Sequence, residues 1–153
     1  MTPPRIRTAV AADLPRIVEL VHEHAAYEKA APPAPGLAER LAPLLFGPEA
    51  DPALRILVVE TEGGVLVGYA ALSTEFAFWD GRHYLHMDCL YLAGATRGQG
   101  LGTAVMDAVR AYAESRGLGQ VQWQTPDWNE GAIRFYDRLG ARSRGKLRFT
   151  WDL

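Results

Sequence analysis

The run Arg97-Gly98-Gln99-Gly100-Leu101-Gly102 constrains this chain more than any other feature. Residues 84–92 before it are rich in aromatic and aliphatic side chains and read as a strand. After it, Leu101, Ala104, Val105, Ala108, Val109 and Tyr112 recur at helical spacing and define one apolar face. A strand, alternating glycines and then a helix make a cradle for an anion. Glycines allow tight turns and close backbone approach, and the unpaired N–H groups of the first helical turn point at negative charge. Arg97 adds a permanent cation. The segment from Arg97 to Thr103 is therefore expected to grip a pyrophosphate.

Two common pyrophosphate loops do not fit. A kinase- or GTPase-type loop ends in Gly-Lys-Ser/Thr, whereas Gly102 is followed by Thr103 and Ala104. A dinucleotide fingerprint spaces its glycines differently and requires an acidic residue on the next strand end, and residues 121–125 carry none. Arg97-x-x-Gly100-x-Gly102 instead resembles the acetyl-CoA loop of the GCN5-related N-acetyltransferases (GNAT), Gln/Arg-x-x-Gly-x-Gly/Ala. A second block, from Trp128-Asn129-Glu130 through Phe135-Tyr136 to Gly140-Ala141, resembles that family's Asn-x-x-Ala-x-x-Phe-Tyr-x-x-x-Gly-Ala segment. The two blocks span residues 88–141, and the order of elements extends the likeness to nearly the whole chain. The subgroup it most resembles is that of the spermidine/spermine and thialysine acetyltransferases.

The remaining sequence agrees with one domain over residues 1–153. At 153 residues and 48% hydrophobic content, the chain can bury one substantial core. A net charge of -2 gives no electrostatic footprint for nucleic acid or an anionic membrane, so neither is an expected partner. One cysteine suits a reducing compartment, and no apolar leader or spanning stretch is present, which predicts a cytoplasmic protein. No metal site is expected.

Strands are predicted over residues 6–10, 55–62, 65–76, 84–92 and 121–125, with a terminal pair over 142–153. Helices are predicted near 12–29, over Leu37–Phe46, after the glycine loop, and over 129–139. On the first helix Ile17, Leu20, Val21 and His24 trace one face. With the resemblance, this is an α/β (α+β) GNAT fold. It implies one mixed, largely antiparallel sheet of six to seven strands, flanked by four helices and splayed at its central strands.

Acetyl transfer from a thioester to an amine needs a deprotonated amine, since a lysine-like amine titrates near ~10.4 in water. It also needs a proton for the departing thiolate. The resemblance implies acetyl-CoA as donor and CoA as product, with Tyr136 as the acid and a cofactor contact. It also implies Asn129 as a cofactor contact as well as an N-cap, and the backbone of Leu90 and Leu92 as pantetheine partners. Strict alternation along the strand puts Tyr84, His86, Asp88, Leu90 and Leu92 on one face and Cys89 on the other. Asp88 stands where the subgroup has a Glu that drains the amine proton through water, and His86 is its same-face neighbour. Cys89 is not expected to be a nucleophile.

For the acceptor, Tyr27 and Glu28 resemble the Tyr-Glu segment of the polyamine-type enzymes. Glu75 and Trp79 are further candidates to frame a cationic amine by charge and cation–π contact. The expected reaction is direct acetylation of a small polyamine- or amino-acid-like amine. Peptide N-acetylation and a non-catalytic acyl-CoA sensor are the alternatives. Relatives in the subgroup pair through C-terminal strands, and residues 148–153 alternate like an edge strand, so a homodimer is expected.

Overall fold

Five strands form one sheet in the order β1-β2-β3-β4-β5. They are β1 (Arg5–Thr8), β2 (Leu54–Glu60), β3 (Leu66–Ala77), β4 (Arg82–Leu92) and β5 (Val121–Trp123). The first four are antiparallel neighbours, and β5 joins β4 in parallel. The computed structural model describes residues 3–153; Met1 and Thr2, counted within the single domain, lie outside the described residues.

Each sheet face is closed by two helices. On one face α1 (Leu14–Tyr27) and α2 (Leu37–Phe46) bury Ile17 and Leu20 against Val58, Tyr69 and Tyr91. On the other, α3 (Leu101–Ser115) and α4 (Glu130–Arg138) cover Leu57, Leu72, Leu85 and Met87 with Val105 and Val109. Burying an aliphatic side chain of this size stabilises by roughly 1.5–3 kcal/mol. Helix α2 has the predicted bounds, because Gly36 at φ +83° opens it and Gly47-Pro48 ends it.

At the far edge Arg7 staples β1 to β2 and to the turn before α1. Its guanidinium donates to Asp13 at 2.7 Å and to Glu60 at 2.9 Å. Those contacts hold both carboxyls below their ordinary range.

Three sequence expectations are corrected. The sheet has five strands rather than six to seven, because residues 141–153 take no regular secondary structure. Leu147, Phe149, Trp151 and Leu153 alternate there but are all exposed. Alternation makes a strand only where a neighbouring ladder accepts it.

The second correction concerns parity in β4. Ala71 of β3 pairs with Cys89 while Leu72 pairs with Met87, so Asp88 is an extra residue in a β-bulge. The bulge resets the alternation. Leu90 and Leu92 join Leu85 and Met87 on the α3 side, whereas Cys89 and Tyr91 face α1. Third, Cys89 is therefore not remote from Asp88: its Sγ lies 3.5 Å from Asp88 Oδ2.

The splay is present. β5 pairs with β4 only over residues 85–87, and beyond Met87 the strand keeps β3 on one side with no strand on the other.

Candidate active site

The glycine loop delivers an open helix N-terminus. Gly98 and Gly100 adopt φ of +78° and +75°, which only glycine takes without strain. Gly100 is the N-cap of α3, and no side chain caps that end. The first-turn N–H groups of Leu101, Gly102 and Thr103 thus remain for an anion. The Leu101 side chain itself is core. Gly102 is closely packed: a Cβ there would lie 3.0 Å from Phe135 Cζ on α4, so the ring would have to shift to admit one. The Gln99 amide is turned back onto the Ala95 carbonyl at 3.4 Å.

Arg97 lines the cavity described next, at the start of the loop. Its guanidinium stacks 4.0 Å from the Tyr27 ring centroid, and its Nε donates to the Leu92 carbonyl at 3.0 Å. It bridges the loop to the end of α1 instead of joining the row of N–H groups. Other cations stand nearby: Arg138 and Arg148 also line the cavity described next. Neither was singled out from the sequence, because no spacing rule marks an arginine that reaches a site from a helix end or an irregular tail.

Where β4 and β5 part, a cavity of about 800 Å³ opens. Residues 88–92 of β4 form one wall and residues 124–126, after β5, the opposite one. The loop closes one end, with Gly98, Gly100, Gly102 and Thr103, and the end of α1 closes another, with His24, Tyr27 and Glu28. Asn129 and Tyr136 enter from α4. The Asn129 side chain accepts from the Ala132 N–H at 3.2 Å, so it caps α4 while lining the cavity.

The titratable groups differ in their surroundings. Burial pushes the Tyr136 phenol up to about 12, with the Glu28 charge adding to the shift. That phenol stays protonated at neutral pH and stands edge-on to Trp123 at 5.1 Å. Burial likewise lifts the Cys89 thiol to about 12, which keeps it from acting as a thiolate nucleophile near neutrality. Asp88 is 63% exposed and sits 3.6 Å from His86 Nε2. His86 touches that carboxylate without forming part of the cavity wall.

Of the acceptor candidates, Tyr27 and Glu28 line the cavity, whereas Glu75 and Trp79 do not. Glu75 accepts from Ser73 and Tyr84 at the outer half of the β3–β4 hairpin, and Trp79 at its tip is 99% exposed. His24, which also lines the cavity, is not marked as a site residue by the sequence. The signal available was a histidine on the apolar stripe of α1, which also describes an ordinary core residue.

The Acetyltransferase (GNAT) family model matches residues 18–141. The chain belongs to the GNAT family. This GNAT chain is 30% identical to the thialysine N-epsilon-acetyltransferase of Mus musculus, over 99% of its own length and 94% of that protein. It is 31% identical to the thialysine N-epsilon-acetyltransferase of Sus scrofa, over 90% of its length and 83% of that protein. The fold also matches an aminoglycoside acetyltransferase from an uncultured soil metagenomic sample, with TM-score 0.82 and 18% identity. That match covers 98% of this chain and 96% of the other. The enzyme is an N-acetyltransferase. Among the described residues, no helix is long and apolar enough to cross a membrane.

Proposed function

We propose that this GNAT enzyme transfers an acetyl group from acetyl-CoA directly to the primary amine of a small cationic molecule, polyamine- or amino-acid-like. One observation carries the reading: Glu28 and Asp88 line the same cavity as the Tyr136 phenol and the glycine loop that opens α3. Two carboxylates suit an ammonium, and free N–H groups suit a pyrophosphate. The likeness to enzymes named for thialysine, itself an amine, supports the same class of acceptor.

The donor fits the residues present. When bound, acetyl-CoA supplies the acyl group as a thioester. The first turn of α3 would hold its pyrophosphate, with Arg138 and Arg148 as nearby cations. The edge of β4 at Leu90 and Leu92, which has no strand beside it on this side, would take the pantetheine amides, with the Leu92 carbonyl shared with Arg97. On the acceptor side, Glu28 and Asp88 attract the ammonium. Asp88, with His86 beside it, takes the proton that the amine must lose. Tyr136 keeps a proton on its phenol oxygen for the leaving sulfur.

The reading includes a homodimer and a cytoplasmic setting. The exposed, alternating apolar tail at Leu147, Phe149, Trp151 and Leu153 supports pairing with a second copy. Cys89, a free thiol, suits a reducing compartment.

Release of free thiol from acetyl-CoA, measured against a panel of diamines, amino acids and basic peptides, tests the reading. Turnover is expected with small diamines or amino acids. Turnover confined to peptides moves the assignment to peptide acetylation, and binding without turnover makes the chain a sensor.

A further inference from the structure

His24 lies near the end of α1, on the face that carries Ile17 and Leu20 into the core, and its side chain is only 12% exposed. Both ring nitrogens are engaged. Nδ1 is 2.9 Å from the Tyr69 hydroxyl and Nε2 is 3.1 Å from Glu28 Oε1. The ring stacks on Tyr91 at 5.1 Å, with planes 20° apart. A carboxylate oxygen can only accept, so Nε2 carries the hydrogen. In the neutral ring Nδ1 must then accept from Tyr69. Burial raises the Tyr69 pKa far above its usual value, so that hydroxyl keeps its hydrogen. Glu28 thus selects the tautomer, and Tyr69, by donating to Nδ1, holds the ring that orients Glu28.

We propose that His24 is a positioning and specificity-determining residue of the acceptor pocket: it aims the Glu28 carboxylate at the substrate's ammonium. The inference rests on the reading of the acceptor as a small cationic amine. A leucine would satisfy the apolar face of α1 equally well, and only a nitrogen-bearing side chain joins Tyr69 to Glu28.

Glu28 meets the ring from the end of α1, Tyr69 from β3 and Tyr91 from β4, and Tyr27 packs on the Tyr91 ring in turn. Asp88 stands behind Cys89, and Arg97 lies 5.6 Å from the Tyr91 centroid. Glu28 alone is a charged group bonded to the ring. Tyr69 is within hydrogen-bond reach of Cys89 as well.

Steady-state kinetics on the full chain with acetyl-CoA and either thialysine or a linear diamine test the inference. His24→Leu is expected to raise the KM for the amine about 10- to 100-fold, the loss typical of a charge-assisted hydrogen bond. kcat and the KM for acetyl-CoA should stay near wild type. His24→Gln keeps an N–H for Glu28, so it should recover most of the affinity at pH 8. A wild-type amine KM in His24→Leu, or an amine KM in His24→Gln no better than in His24→Leu, overturns the inference while leaving the acetyltransferase reading intact. If acetyl-CoA binds but no amine is acetylated, the acceptor reading fails. The ring ¹⁵N shifts of His24 then decide the coupling. A single Nε2–H tautomer that is lost in Glu28→Gln supports it, and a ring indifferent to Glu28 overturns it.

Discussion

Gly102 and Phe135 meet so closely that a Cβ on the glycine would lie 3.0 Å from Cζ of the ring. The contact joins the phosphate cradle to the helix that bears Tyr136. Gly102→Val should overpack this seam by roughly 1–3 kcal/mol, lowering Tm by about 2–4 °C per kcal/mol, and should weaken acetyl-CoA binding. Adding Phe135→Leu should restore part of the Tm. A Cβ at Gly100 meets no atom within 4 Å, but Gly100→Val is strained at φ +75°, and it too should lose affinity. Calorimetric titration reads both; wild-type affinity in the pair would sink the cradle assignment.

Tyr136→Phe should lower turnover by the ~10²–10⁴-fold typical of general acid catalysis, with the fold retained. The phenol's pKa of about 12 has a definite sign. The acid form is present throughout the neutral range and is lost only as pH rises through about 12. A wild-type pH–rate profile with a basic limb near pH 8 must then come from another group. Unchanged turnover in the variant would reduce Tyr136 to packing.

Asp88→Asn should preserve acetyl-CoA affinity and depress turnover most where the amine is largely protonated. Raising pH toward the amine's own pKa should recover activity, because solvent has by then removed the proton. His86→Ala should show a milder version. If His86→Ala fails while Asp88→Asn matches wild type, the two roles exchange.

Arg7→Met should lower Tm by a few degrees at neutral pH. Asp13 and Glu60 are held below their ordinary range, so the stability they contribute is present above that range and lost as pH falls through their folded values. The Tm gap between wild type and variant should therefore close on acidification. A gap of constant size from pH 7 to pH 3 would contradict the linkage.

Deleting residues 142–153 should convert a dimer to a monomer in light scattering. A wild-type chain that is already monomeric at high micromolar concentration would overturn the homodimer.

Much of this molecule is legible in its sequence, for reasons that differ by element. Leu37–Phe46 is bracketed by glycine and proline, and the glycine loop announces a turn and a helix start by its composition alone. The parity of β4 was not legible. Nothing in Tyr84-Leu85-His86-Met87-Asp88-Cys89 marks Asp88 as the extra residue, because the bulge arises from pairing with β3. The tail misled for the opposite reason, its alternation being real and its ladder absent from the single chain. The direction of Arg97 depended chiefly on Tyr27 of α1, seventy residues away in sequence.

The parting of β4 from β5 has one more consequence. A bare strand edge invites any passing chain to stack on it, and this enzyme carries such an edge where its donor is proposed to lie. A cofactor that hydrogen-bonds along residues 88–92 would act as a missing sixth strand and shield that edge from intruders. The supply of acetyl-CoA would then govern solubility as well as turnover, and starved enzyme would be the first to clump when a cell is heated.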